Sequence, residues 1–225
     1  MIIDLNRKMM ESNDTVAAGN RQKFRQHQVK VINLLGSPGA GKTSFLEATL
    51  AALTRNYKVG VIEGDLATAL DAERIAKLGV PVVQINTKGG CHLDGAMIRE
   101  VLSQFDLASL ELLVIENVGN LVCPSTFDLG EDHKVVVLSV AEGGDKPVKY
   151  PRTFLEASAV IINKIDLLPF TDVDLEALKN DLLSINPNLE LFPVSCREKQ
   201  GLTPWYEWLQ AQLKLPGEEP GSHGL

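Results

Sequence analysis

A chain of 225 residues that is 44% hydrophobic and 23% charged can bury a full core in one domain, and its apolar content excludes disorder as its overall state. The net charge of -7 and pI near 5.2 exclude duplex nucleic acid or an anionic membrane as the main partner, since either calls for a basic face. Three cysteines do not make a disulfide framework, so the thiols are either core filler or metal or redox groups.

Met1 to Asp14 intersperses Asp4, Arg7, Lys8 and Glu11 with apolar residues, which leaves no signal-peptide core, and no later apolar run approaches membrane-spanning length. The expected compartment is the cytoplasm. Residues 1–29 read as an N-terminal arm of one or two polar helices, with Val16, Ala17, Phe24 and the cations Arg21, Lys23 and Arg25 at helical spacing. Such an arm packs on the domain or meets a partner. From residue 30 to 215, short apolar runs alternate with amphipathic stretches. Strands are expected at Val31–Leu35, Lys58–Ile62, Val80–Ile85, Leu112–Ile115, Val135–Val140, Ala159–Ile162 and Leu191–Val194. Helices are expected at Lys42–Arg55, Leu66–Lys77, Ala96–Gln104, Tyr150–Ala157, Asp172–Ile185 and Thr203–Leu213. Most of the strands are too continuously apolar for one-faced burial, which predicts a three-layer α/β fold, a mainly parallel sheet with helices on both faces. Residues 216–225, rich in Pro, Gly and Glu, have too little apolar content to offset the entropy of ordering and read as a disordered tail.

The stretch that organises the chain is Gly36-Ser37-Pro38-Gly39-Ala40-Gly41-Lys42-Thr43, between the first strand and a helix opening at Ser44. This is the strand, loop, helix setting of a phosphate-binding P-loop. Gly36, Gly39, Ala40 and Gly41 let successive N–H groups converge on phosphate oxygens, Lys42 sits on the β- and γ-phosphates, and Thr43 reaches Mg²⁺. A Gly-rich turn with a surface lysine is the competing reading. The second signal is Asn163-Lys164-Ile165-Asp166 at the end of a strand. The Asp166 carboxylate can accept from both the N1–H and the exocyclic amine of guanine, and Asn163 can hold the base and its loop, so GTP is the expected nucleotide. As a short pattern it also fits a helix-entry turn capped by Asp166. Ser195 and Cys196, after a later strand, are expected at the base edge.

Between these lie groups that could sense a γ-phosphate. Asp65, in Glu63-Gly64-Asp65, could hold a Mg²⁺ water or orient the attacking one; Glu116 could reach the metal through water; the Gly119 N–H could approach the γ-phosphate. Lys42, Asp65 and Glu116 are thus the catalytic candidates, and Thr43, Asp65 and Glu116 the Mg²⁺ candidates. No arginine finger stands out, which predicts slow basal hydrolysis. Cys91-His92 and Cys123-Pro124 offer thiolate and imidazole ligands suited to Zn²⁺ or Ni²⁺, with buried apolar thiols and a satisfied histidine as the alternative.

With these residues in hand the sequence resembles the HypB family, the nickel-insertion GTPases of nickel–iron hydrogenase maturation, in the P-loop class that includes urease accessory and signal-recognition GTPases. The resemblance runs from about Val31 to Leu213. It rests most specifically on Cys91-His92-Leu93-Asp94 and on Glu116-Asn117-Val118-Gly119-Asn120-Leu121-Val122-Cys123-Pro124. It implies a P-loop NTPase fold, a Zn²⁺ or Ni²⁺ site formed by Cys91, His92 and Cys123 at a nucleotide-promoted homodimer interface, the nickel chaperone HypA as partner and the hydrogenase large subunit as client. Some members carry an N-terminal Cys-x-x-Cys motif or a His-rich tract; here Met1 to Lys30 has no cysteine and one histidine, His27. That leaves the G-domain site as the sole candidate for nickel. The rival readings are a urease accessory GTPase, a P-loop kinase, which gives no account of Asn163 to Asp166, and a regulatory GTP switch with incidental thiols.

Overall fold

The structure, a computed structural model, describes residues 5–65 and 70–213. Each of the seven apolar runs forms a strand: β1 (Lys30–Gly36), β2 (Val59–Asp65), β3 (Val82–Asn86), β4 (Leu112–Glu116), β5 (His133–Ser139), β6 (Ala159–Asn163) and β7 (Glu190–Pro193). They pair side by side, all parallel, in the order β3-β2-β4-β1-β5-β6-β7. Side chains alternate across the sheet. Ile32 and Leu34 of β1 therefore face one layer, while Val31 and Leu35 face the other.

Helices α1 (Leu5–Gln26), α2 (Lys42–Leu53), α3 (Leu70–Ala76) and α4 (Gly95–Val101) fall in the first half of the chain. The second half holds α5 (Cys123–Thr126), α6 (Lys146–Lys149), α7 (Pro151–Leu155), α8 (Leu175–Ile185) and α9 (Thr203–Leu213). On one face Phe45 and Leu46 of α2, Ile75 of α3 and Trp205 of α9 form a single cluster with the sheet. Trp205 is 2% exposed, lies 5.0 Å from Phe45 ring to ring in a tilted pair and donates its indole N–H to Thr49 Oγ1 at 3.0 Å, so its burial leaves no unpaired donor. On the other face Phe24 of α1 and Ile98 of α4 pack under β2 and β4, and Phe154, Leu178 and Leu182 of α7 and α8 pack under β5 and β6.

The boundaries depart from the sequence reading for local reasons. The arm is one helix, α1. The helix expected from Tyr150 to Ala157 is shorter, with Pro151 at its first position. The helix expected from Asp172 starts at Leu175, because the Asp174 carboxylate accepts from the N–H groups of Glu176 and Ala177 and so caps it. Residues 102–104, expected as the end of α4, tighten into a 3₁₀ turn. Residues 66–69 of the helix expected at Leu66–Lys77, and the tail 216–225, lie outside the described residues. No helix among the described residues is long and apolar enough to cross a membrane.

Candidate functional site

Parallel strands end together, and here they present their loops along one carboxyl edge. Strand β1 lies between β4, whose side of the sheet holds β2 and β3, and β5, whose side holds β6 and β7. A crevice opens at such a switch point, and the loop leaving β1 runs into it. The cleft holds about 480 Å³; Gly39, Gly41, Lys42, Thr43, Ser44, Asp65, Glu116, Gly119 and Lys164 are all on its wall.

Gly41 caps α2 with φ 96°, and a Cβ there would lie 2.5 Å from Asn163 Nδ2, so both backbone sign and space demand glycine. Gly36 ends β1, and its carbonyl accepts from Lys42 Nζ at 3.3 Å. Buried Ala40 presents its carbonyl to Asn163 Nδ2 at 3.0 Å, and Lys164 Nζ donates to the Gly39 carbonyl at 2.7 Å. The Asn163–Asp166 stretch thus braces the loop of residues 36–43.

The central chemical feature is a pair of carboxylates. Glu63 on β2 and Glu116 on β4 are register partners on adjacent strands, both 3% exposed. Thr43 donates its hydroxyl to Glu116 Oε1 at 2.9 Å. Burial pushes both carboxyls well above the usual carboxylate range. The neighbouring charge of Glu116 adds to this at Glu63, and the Lys42 ammonium opposes it at both. Oε2 of each finds no hydrogen-bond partner among the described residues. Two buried, opposed acceptors beside a threonine hydroxyl form a hard-oxygen donor set that a divalent cation with its waters would satisfy, so the residues fit Mg²⁺. The sequence reading named Asp65 from this stretch and passed over Glu63. Asp65 sits at the end of β2 on the cleft wall, half-buried.

A second cavity adjoins the first and is lined by Asn163, Lys164, Asp166, Cys196, Arg197 and Lys199 among others. Ser195 is fully buried; its hydroxyl donates to Asp166 Oδ1 at 2.6 Å and its backbone N–H to the Gln200 carbonyl at 3.0 Å. Ser195 therefore orients Asp166 instead of lining the cavity. The Cys196 N–H points at Asn163 Oδ1, 3.3 Å away, and burial pushes the Cys196 thiol up to about 11, which keeps it protonated.

Cys91 follows β3 and Cys123 opens α5, yet the fold brings them together. The exposed Cys91 Sγ lies 3.5 Å from His92 Nδ1, and a hydrogen bond with Cys123 is the main influence raising its pKa. The His92 ring stacks on Phe127 at 3.8 Å and 18°, and burial lowers its pKa, favouring the neutral, ligating imidazole. Among the described residues no group of three or more Cys, His, Asp or Glu side chains is arranged to hold a metal ion, so Cys91, His92 and Cys123 lie near one another without forming a metal site within one chain.

Two further groups escaped sequence reasoning. Arg74 of α3 reaches the cleft wall, but its guanidinium is held by Glu47 at 2.6 and 3.0 Å and by Asp71 at 2.9 Å. Asn117, 1% exposed, accepts the Leu93 N–H at 3.1 Å and donates to Asn33 Oδ1 at 3.1 Å. One residue thereby joins the loop after β4 to the Cys91-His92 loop. Only the strand order makes that contact, and no local pattern signals it.

Residues 30–193 match the family described as CobW/HypB/UreG, nucleotide-binding domain. The hydrogenase maturation factor HypB of Azotobacter vinelandii is 47% identical over 211 residues, 94% of this chain and 70% of that protein. A crystal structure of the hydrogenase maturation factor HypB from Archaeoglobus fulgidus superposes with a TM-score of 0.85 at 36% identity, covering 91% of this chain and 100% of that one. HypB from Helicobacter pylori, solved in complex with nickel, gives 0.84 at 37% identity, covering 90% and 95%.

Proposed function

The chain belongs to the CobW/HypB/UreG nucleotide-binding family, and from that premise we propose that it is a GTP-hydrolysing metallochaperone that carries nickel in hydrogenase maturation. The observation that carries the reading is Cys91, whose thiol meets both the His92 ring and Cys123 at the mouth of the loop running from Glu116 past Gly119. Nickel or zinc is the cargo of this site. GTP lies in the two adjoining cavities, with its phosphates under residues 36–43 and its base beside Asp166. Thr43 with Glu116 and Glu63 would hold Mg²⁺, which would supply charge neutralisation at the β- and γ-phosphates. Lys42 spreads its charge over the same oxygens, and Asp65 orients the attacking water. A second copy of the chain completes metal coordination across a two-fold axis, and the HypA-type nickel chaperone and the hydrogenase large subunit stand before and after it.

Titrating Ni²⁺ and Zn²⁺ into the wild type and into Cys91→Ala/His92→Ala is the test. Stoichiometric, cysteine-dependent binding is expected for the wild type and its loss in the double variant. Equal binding by both would leave a regulatory GTP switch with incidental thiols.

The base pocket gives a separate expectation. Asp166→Asn places an amide donor opposite guanine donors, so GTP affinity falls about a hundredfold, the worth of two charge-assisted hydrogen bonds, and xanthine nucleotides become preferred. Side-by-side GTP and XTP affinities check this; an unaltered GTP preference removes Asp166 from the base site.

A further inference from the structure

Helix α1 touches the start of α4, just past Cys91-His92, and the loop after α5, just past Cys123, and it does so through buried asparagines. Asn13 accepts the Gly95 N–H at 2.8 Å and donates to the Asp128 carbonyl at 2.8 Å. About two turns further on, Asn20 donates to the Gly95 carbonyl at 2.8 Å and to the Leu129 carbonyl at 3.2 Å. Both side chains are buried, Asn13 at 8% and Asn20 at 2% exposure, among Ala17, Phe24 and the opposing loops. Arg21 Nη2 donates to both oxygens of the Asp128 carboxylate, at 2.7 and 2.8 Å.

The loops in turn are shaped to receive the helix. A Cβ on Gly95 would lie 3.2 Å from the Ala17 nitrogen, and one on Gly130 would lie 2.8 Å from the Ala17 carbonyl oxygen and the Arg21 nitrogen. Two segments far apart in sequence, the start of α4 and the loop after α5, each carry glycine where they meet the backbone of α1. Gly95 is three residues past His92 and Asp128 is one past Phe127, and His92 stacks on Phe127. The bridge made by Asn13 therefore ties together the two segments leading away from the His92–Phe127 stack, beyond the Asn117–Leu93 and Asn120–Cys91 bonds that lie closer to His92.

We infer that α1 is a brace that fixes the Cys91-His92 loop against the Cys123 loop, with Asn13 and Asn20 as positioning residues for capture of a soft divalent cation. The inference rests on the metal reading above. An asparagine offers a donor and an acceptor on one rigid amide, so it can hold an N–H of one loop and a carbonyl of the other at a single separation. Neither residue is a ligand. Their effect runs through where the Cys91, His92 and Cys123 side chains point, as outer partners tune the ligands of metal sites.

The experiment uses the full chain with Asn13→Ala, Asn20→Ala, Gly95→Ala, which keeps both asparagines but presses on the helix backbone, and Ser12→Ala on the exposed face of the same helix as control. Ni²⁺ is titrated with the thiolate-to-nickel absorption as signal, and a short bis-maleimide reports Cys91-to-Cys123 linkage by peptide mapping. Affinity for a GTP analogue reports folding. The expected result is a nickel affinity ~10–100-fold weaker in the three brace variants, the range for outer-shell partners, with slower linkage and unchanged nucleotide affinity. Ser12→Ala behaves as wild type. Wild-type nickel affinity and linkage rate in all three overturn the brace, as does a parallel loss of nickel and nucleotide binding in all three, which marks α1 as a general stabiliser. A wild type with no cysteine-dependent nickel binding overturns the metal reading and with it the capture role, while linkage that still slows in the variants would show that the loops are braced for something else.

Discussion

Lys42→Ala is expected to abolish GTP hydrolysis and to weaken GTP binding about a hundredfold or more, since charge-assisted contacts to two phosphates are lost together. The Lys42 side chain is 8% exposed and bonds only backbone carbonyls, those of Gly36 at 3.3 Å and Ser37 at 3.5 Å, so alanine costs the fold little. A second loss compounds the first. The ammonium is the group that pulls the Glu116 and Glu63 carboxyls back toward ionisation against their burial. Without it burial acts on both carboxyls without that opposing charge, and both sit higher still. Calorimetric titration with GTP, phosphate release and a thermal melt separate the effects. Turnover at the wild-type rate with an unaltered melt would remove this loop from the chemistry.

The second large effect is coupling between nucleotide and metal. A non-hydrolysable GTP analogue is expected to raise Ni²⁺ affinity about tenfold over GDP, within the usual range of coupling energies, and to shift the chain to a dimer. Linkage then requires nickel to strengthen binding of the analogue by the same factor. Two routes run between the sites. One is the chain itself, from Gly119 on the cleft wall to Cys123. The other is Asn117, whose side-chain oxygen takes the Leu93 N–H one residue past His92. Cys123→Ala breaks the first at its metal end, and Asn117→Ala breaks the second while leaving every metal ligand in place. Light scattering and nickel titration in each nucleotide state provide the readouts. Identical mass and affinity with GDP and with the analogue in the wild type would end the switch mechanism, even with GTPase activity and metal binding intact.

What the sequence by itself determined was whatever is written in neighbouring residues. Strand positions were legible because most strands are near-continuous apolar runs, and a mainly parallel sheet follows from runs that must be buried on both faces; the structure makes every pairing parallel. The phosphate loop, the base motif and the two Cys/His stretches were legible because each is short and contiguous. Helix ends were less so, since a single cap such as Asp174 or a proline such as Pro151 outweighs several residues of periodicity. The tertiary structure alone decided what comes from strand order and register. Placing β2 beside β4 sets Glu63 against Glu116, which turns two ordinary acidic strand ends into one buried cation-ready pair. The same order carries the loop after β3 to Cys123 and lets Asn117 reach Leu93. Helix α1 read as a polar arm because its two buried asparagines look like surface residues until the segments of Gly95 and Gly130 close over them. Periodicity reports which face of an element is buried, whereas the identity of the element that covers it is a long-range fact settled by packing.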